Sequence, residues 1–129
     1  MIDRRTRAAL GLAGLLGLTA VAAGAFGAHG VADLRAKAWL QTGGEYGMIH
    51  ALAAIAAVGL ARLGARQAMA AAWCFLAGAT IFSGSLYLIA LTGVLWLGAI
   101  TPVGGLLLLA GWGMVAWAGF TLKGSGDPA

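Results

Sequence analysis

From residue 8 to residue 28 the chain carries no charged side chain, and the same is true from 68 to 92 and from 97 to 122. At about 1.5 Å per residue each run, coiled as a helix, spans the roughly 30 Å hydrocarbon core of a bilayer. A further run, 43–61, holds one charge, Glu45. These four segments are read as the spans of an all-α integral membrane four-helix bundle, a single transmembrane domain over residues 1–129 with short loops. A water-soluble fold is excluded by the same residues. Of the 129 residues 61% are hydrophobic and only 9% charged, whereas soluble domains carry about 25% charged residues. A soluble domain of this length leaves roughly a third of its chain surface in water, and the surplus apolar side chains would form aggregating patches. The 22 glycines against 2 prolines suit membrane helices, where small residues let backbones approach.

The connections fall at 30–42, 62–67 and 93–96, none long enough for a soluble domain. Arg4, Arg5, Arg7, Arg62, Arg66 and Lys123 then lie on one side of the membrane, against Arg35 and Lys37 on the other. The excess of cations places both termini in the cytoplasm and the first and third loops outside. Trp39 and Trp96 mark the outer interface and Trp73 the inner one, where amphipathic rings settle. Residues 33–40 are expected to form a short interfacial helix ahead of the second span. The three arginines before an apolar stretch also have the outline of a secretory signal, with Ala20-Val21-Ala22 or Ala23-Gly24-Ala25 as a cleavage site. The run exceeds a usual signal core, so a retained span is expected. The net charge of +4 is scattered between apolar runs and builds no basic face, which excludes nucleic acid as a partner and leaves the lipid bilayer. Cys74, the single cysteine, can form no internal disulfide.

Within this topology the polar side chains gather in the outer half: His29, Thr42, Glu45, Tyr46, His50, Ser83, Ser85, Tyr87 and Thr101. Thr42, Tyr46 and His50 repeat at i, i+4, i+8 and share one helix stripe. Beside it run Gly43, Gly47 and Ala51, a small-residue groove matched by Ala20, Gly24 and Ala28, so the first two spans are expected to pack there. An unpartnered imidazole in hydrocarbon is costly, so His50 faces inward. One reading makes it neutral glue, bonded to Tyr87, Ser83, Ser85 or a carbonyl near Pro102. The other makes a proton or metal site with His29, Tyr46 or Glu45. Glu45, near the predicted boundary, is expected to bond Trp39 or Arg35. Ser83 and Ser85 are expected to bond their own i−4 carbonyls. Pro102 fits a first helical turn, where its missing N–H costs nothing.

No catalytic pattern appears. The chain has no serine–histidine–aspartate arrangement, HExxH, nucleophile elbow, phosphate-cradling loop or dinucleotide fingerprint. Two histidines without paired cysteines or acids give no metal motif, and no cofactor is implied. The reading is a non-enzymatic protein whose polar cluster clamps the bundle, with another membrane protein or a homo-oligomer as candidate partner. The alternative is proton, metal-ion or small-solute handling in the outer half.

Four ordered strings carry a resemblance: Gly24-Ala25-Phe26-Gly27-Ala28-His29-Gly30; Trp39-Leu40-Gln41-Thr42-Gly43-Gly44-Glu45-Tyr46 with His50-Ala51-Leu52; Phe82-Ser83-Gly84-Ser85-Leu86-Tyr87; and Thr101-Pro102-Val103-Gly104-Gly105 with Gly111-Trp112. Together they resemble the YgdD/YwdK-like family of small membrane proteins, grouped under a domain of unknown function. The resemblance implies a four-helix, multi-pass inner-membrane protein and brings no reaction, cofactor or substrate. That family typically places glutamine after the tyrosine, where this chain has Gly47.

Overall fold

The computed structural model describes residues 1–128. Four helices follow in order: α1 (Arg4–His29), α2 (Leu34–Arg62), α3 (Ala68–Thr92) and α4 (Thr101–Thr121), with a 3₁₀ turn over Leu95–Ala99 between the last two. All four, α4 taken together with its 3₁₀ turn, are long and apolar enough to cross a membrane. Their ends are set by local chemistry. Asp3 and Asp33 accept the backbone N–H of Thr6 at 2.8 Å and of Ala36 at 3.1 Å, capping α1 and α2 and satisfying donors that have no partner inside the helix. Gly93 ends α3 in the left-handed conformation, φ 72°, with its N–H on the Ile89 carbonyl, the geometry that favours glycine there. Pro102 sits in the first turn of α4, as its spacing implied.

One connection differs from the sequence reading. Residues 34–42, expected to be a loop with a short helix of its own, continue without a break into the second span. The Asp33 cap starts the helix, and Leu34 to Gln41 contains only good or tolerable helix formers, so nothing stops it. The first connection shrinks to residues 30–33.

The helices run up and down. α1 packs on α2, α2 on α3 and α3 on α4, while α1 and α4 do not touch among the described residues. The two central helices are therefore buried on two faces and the outer two on one. This arrangement divides the glycines of α2. A Cβ on Gly44 would lie 3.0 Å from the Ala20 carbonyl and 3.4 Å from the Gly24 nitrogen of α1, whereas one on Gly43 would strike Tyr87 of α3 at 2.6 Å. Gly47 stands where the three helices meet, its Cβ position 3.2 Å from Ala20 Cβ and 3.3 Å from Ser83 Oγ. The expected groove of Gly43, Gly47 and Ala51 against α1 is thus corrected at Gly43: Gly44 and Gly47 meet Ala20 and Gly24, while buried Ala51 faces Gly17 as part of the α1 contact. Gly43 has rotated onto α3, because adjacent residues on a helix stand about 100° apart.

Helices α3 and α4 cross where Gly78 and Gly104 meet: a Cβ on Gly104 would lie 2.5 Å from the Phe82 nitrogen and 2.7 Å from the Gly78 carbonyl. Phe75, wholly buried, fills the hollow left by Gly111, whose Cβ would strike the ring at 2.6 Å. The main core joins Ala9, Ala13, Leu16, Ala54, Ala57, Ala72, Phe75 and Leu108 across all four helices. Alanine and glycine dominate because lipid tails are as apolar as the core, so association depends on close fit.

Candidate functional site

His50 is 4% exposed and near the middle of α2, sixteen residues from its start and twelve from its end. Its Nδ1 lies 2.7 Å from the Tyr46 carbonyl, one turn back. The Trp112 indole N–H donates to its Nε2 at 3.0 Å. A carbonyl only accepts and an indole N–H only donates, so the proton is on Nδ1 and Nε2 is bare. The imidazole is neutral in this arrangement and both its nitrogens are in use. Aromatic rings enclose it: Phe75 at 5.6 Å between centroids and Trp112 edge-on at 5.9 Å. Tyr46 lies parallel at 5.9 Å and closes against Phe82 at 4.6 Å.

The partners are not those expected from sequence. Tyr87, Ser83, Ser85 and the carbonyls near Pro102 were the candidates; Trp112 and the Tyr46 carbonyl take their place. The cause is level along the bundle. Measured from residue 43, His50 seemed shallow, but α2 starts at Leu34 and His50 comes level with Trp112, itself near the midpoint of α4. The hint available in the sequence was that Trp112 lies well inside the uncharged run 97–122, whereas Trp39 and Trp96 stand just outside the ends of their runs; an indole N–H inside a span needs an internal acceptor.

Ser83, 0% exposed, donates to the Gly43 carbonyl of α2 at 2.6 Å, so it ties two helices together and does not bond its own helix. Ser85 donates to the Phe82 carbonyl at 2.9 Å and shares a 2.6 Å bond with Thr101, joining α3 to α4. Its intrahelical partner is i−3, where i−4 was expected. The Tyr87 hydroxyl is buried beside Gly47 with no hydrogen-bond partner. The cluster therefore assembles in part: His50, Ser83, Ser85, Thr101, Tyr46 and Tyr87 face or flank the helix contacts, with Trp112, Phe75 and Phe82 as members the sequence reading left out. His29, Thr42 and Glu45 are exposed and stand apart. Glu45 bonds neither expected partner. The Arg35 guanidinium lies over the Trp39 ring, 5.3 Å from its centroid, and these residues are ten and six positions up the helix from Glu45, about 15 Å and 9 Å at 1.5 Å per residue.

Among the described residues no three histidine, cysteine, aspartate or glutamate side chains come together as a metal site. A largely apolar groove of about 570 Å³ runs between α1 and α3, with Leu12, Leu16, Thr19, Leu76, Thr80 and Tyr87 on its walls. Thr19 and Thr80 turn their hydroxyls back onto the carbonyls of Leu16 and Leu76.

Four apolar helices on short connections, with polar side chains spent on bonds between helices, define a small multi-pass membrane-protein bundle. The chain belongs to the family described as protein of unknown function (DUF423), whose model matches residues 23–105. It is 40% identical to the membrane protein YwdK of Bacillus subtilis over 90 residues, 68% of this chain and 72% of the relative. To the inner membrane protein YgdD of Escherichia coli it is 42% identical over 94 residues, 68% of each chain. A membrane protein of Staphylococcus haemolyticus is 52% identical over 54 residues, which span 42% of this chain and 44% of the relative. No solved structure matches.

Proposed function

We propose that this protein is a non-enzymatic, multi-pass protein of the inner membrane whose internal hydrogen bonds hold the helices in one register, so that a fixed outer surface meets lipid and a partner membrane protein or second copy. The observation that carries this reading is His50. With Nδ1 on the Tyr46 carbonyl and Nε2 on the Trp112 indole, it has no lone pair left for a metal and none for receiving a substrate proton unless the clasp opens. Ser83 and Ser85 are likewise occupied between helices. An inner-membrane location is supported by the Escherichia coli relative, which is named an inner membrane protein. Cytoplasmic termini are supported by the charges. Arg4, Arg5, Arg7, Arg62, Arg66 and Lys123 are all exposed and gather at the end of the bundle where Arg62 acts on Asp3 and Gln67 reaches Thr121.

The test is His50→Ala in purified protein and in cells. The variant should lose roughly 2 kcal/mol of stability, as two buried bonds each worth about 1 kcal/mol and some ring packing disappear, and should lose its cross-linked neighbours in the membrane. Unchanged melting with unchanged neighbours would remove the clasp from consideration. Proton or solute flux in proteoliposomes that stops with the same substitution would contradict a structural role.

A further inference from the structure

The chain has four carboxylates, and three of them serve the backbone, since Asp3, Asp33 and Asp127 each accept a backbone N–H. Glu45 enters no such bond. It is exposed and lines a cleft of about 520 Å³ at the seam of α1 and α2, together with Gly24, Gln41, Gly44, Met48 and Ile49. Its level follows from the packing. A Cβ on Gly27 would lie 3.0 Å from Leu40 Cβ, so the end of the uncharged run of α1 is level with Leu40. Glu45 is five residues further along α2, about 8 Å inside at 1.5 Å per residue. A carboxylate facing hydrocarbon at that level is costly, and such groups mark sites of pairing or passage. Among the described residues no cation pairs with it: Arg35 is stacked on Trp39 and Lys37 lies eight residues away toward the membrane surface.

We propose that the Glu45 cleft is a binding site for an organic monocation with an apolar body. The close approach of Gly24 and Gly44 recesses the floor. Met48 and Ile49 supply apolar walls, and the Gln41 side-chain oxygen, one turn above Glu45, adds a second acceptor for an ammonium N–H. Calcium and magnesium fit poorly: one carboxylate and one amide oxygen fall far short of the six or more oxygens that calcium takes and the six-fold shell of magnesium. A volume of this size suits a small amphiphile. The amine of an aminophospholipid and a free lipophilic cation share this chemistry. The site is separate from the His50 clasp, so either can fail without the other.

The experiment uses the full chain in phosphatidylcholine nanodiscs, with tetraphenylphosphonium as the probe and empty nanodiscs as the partition control. Saturable one-to-one binding is expected, with Kd rising at least tenfold in Glu45→Gln while the melting temperature stays unchanged. Ile49→Trp, which narrows the cleft and keeps the charge, should weaken binding similarly. Adding phosphatidylethanolamine should raise the apparent Kd if the lipid amine is the resident cation, and leave it unchanged if a free amphiphile is; either result supports the site. Absence of saturable binding, or equal binding by Glu45→Gln, overturns it. So does a cross-link through position 45 to a protein partner or second copy that Glu45→Gln abolishes.

Discussion

Replacing Gly104 by alanine would place a methyl group 2.5 Å from the Phe82 nitrogen, 2.7 Å from the Gly78 carbonyl oxygen and 2.9 Å from Phe82 Cα. Carbon contacts settle at roughly 3.5–4.0 Å, so α4 must withdraw from α3 by about 1 Å. All three obstructing atoms belong to the backbone of α3, so no side-chain rotation relieves the clash. Overpacking of this kind costs about 1–3 kcal/mol and at times more. Withdrawal also loosens Phe75 in the hollow of Gly111. Against this stands the gain of roughly 0.5–1 kcal/mol for replacing glycine by alanine within a helix. The net expectation is a loss of about 1–2 kcal/mol. The same substitution at Gly113 in the same helix meets nothing within 4 Å and should be neutral or slightly stabilising. Reversible unfolding in mixed micelles, followed by far-UV circular dichroism, compares the pair. Equal stability of Gly104→Ala and Gly113→Ala would refute the crossing described here.

Other substitutions probe the bonds between helices and the first cap. Trp112→Phe keeps the ring against Phe75 but removes the donor to His50, and should cost about 1 kcal/mol; combined with His50→Leu in a double-mutant cycle, the coupling should be of that size, and zero coupling would mean the two residues do not bond. Ser85→Ala with Thr101→Val should show a coupling of about 0.5–1 kcal/mol in the same unfolding assay. At the membrane surface, the Thr6 hydroxyl and then its backbone N–H hold the Asp3 carboxyl below its ordinary value of 3.8. A lowered value means that the stabilisation is complete above about 3.8 and fades as pH falls through the folded-state value. Amide exchange at Thr6 and Arg7, slow at neutral pH, should accelerate in that acid window in the wild type and be fast throughout in Asp3→Ala.

Much of the architecture was legible because hydrocarbon leaves few choices. Uncharged runs of span length must be helices, since no other open structure satisfies its own backbone in lipid, and helices on connections of a few residues must alternate in direction. The inward direction of His50 was legible for the same reason. Its partner was not. Identifying Trp112 required knowing that α2 starts at Leu34, a fact that depends on one aspartate cap, and that α3 carries α4 round to within reach of α2. The split between Gly43 and Gly44 was hidden likewise: small residues announce close packing, but only the rotation of α2 between two neighbours decides which glycine meets which helix. Glu45 was misassigned because Arg35 and Trp39 are near in sequence yet lie up the helix axis from it.

At the centre of the bundle a neutral imidazole is held between α2 and α4. Nitrogen-15 magic-angle-spinning spectra of histidine-labelled protein in bilayers at neutral pH report it directly, with His50→Leu assigning the signal. The expected spectrum shows a protonated Nδ1, a bare Nε2 and magnetisation transfer from the Trp112 indole hydrogen to that bare nitrogen. A proton on Nε2, or a doubly protonated ring with no contact to Trp112, would contradict it.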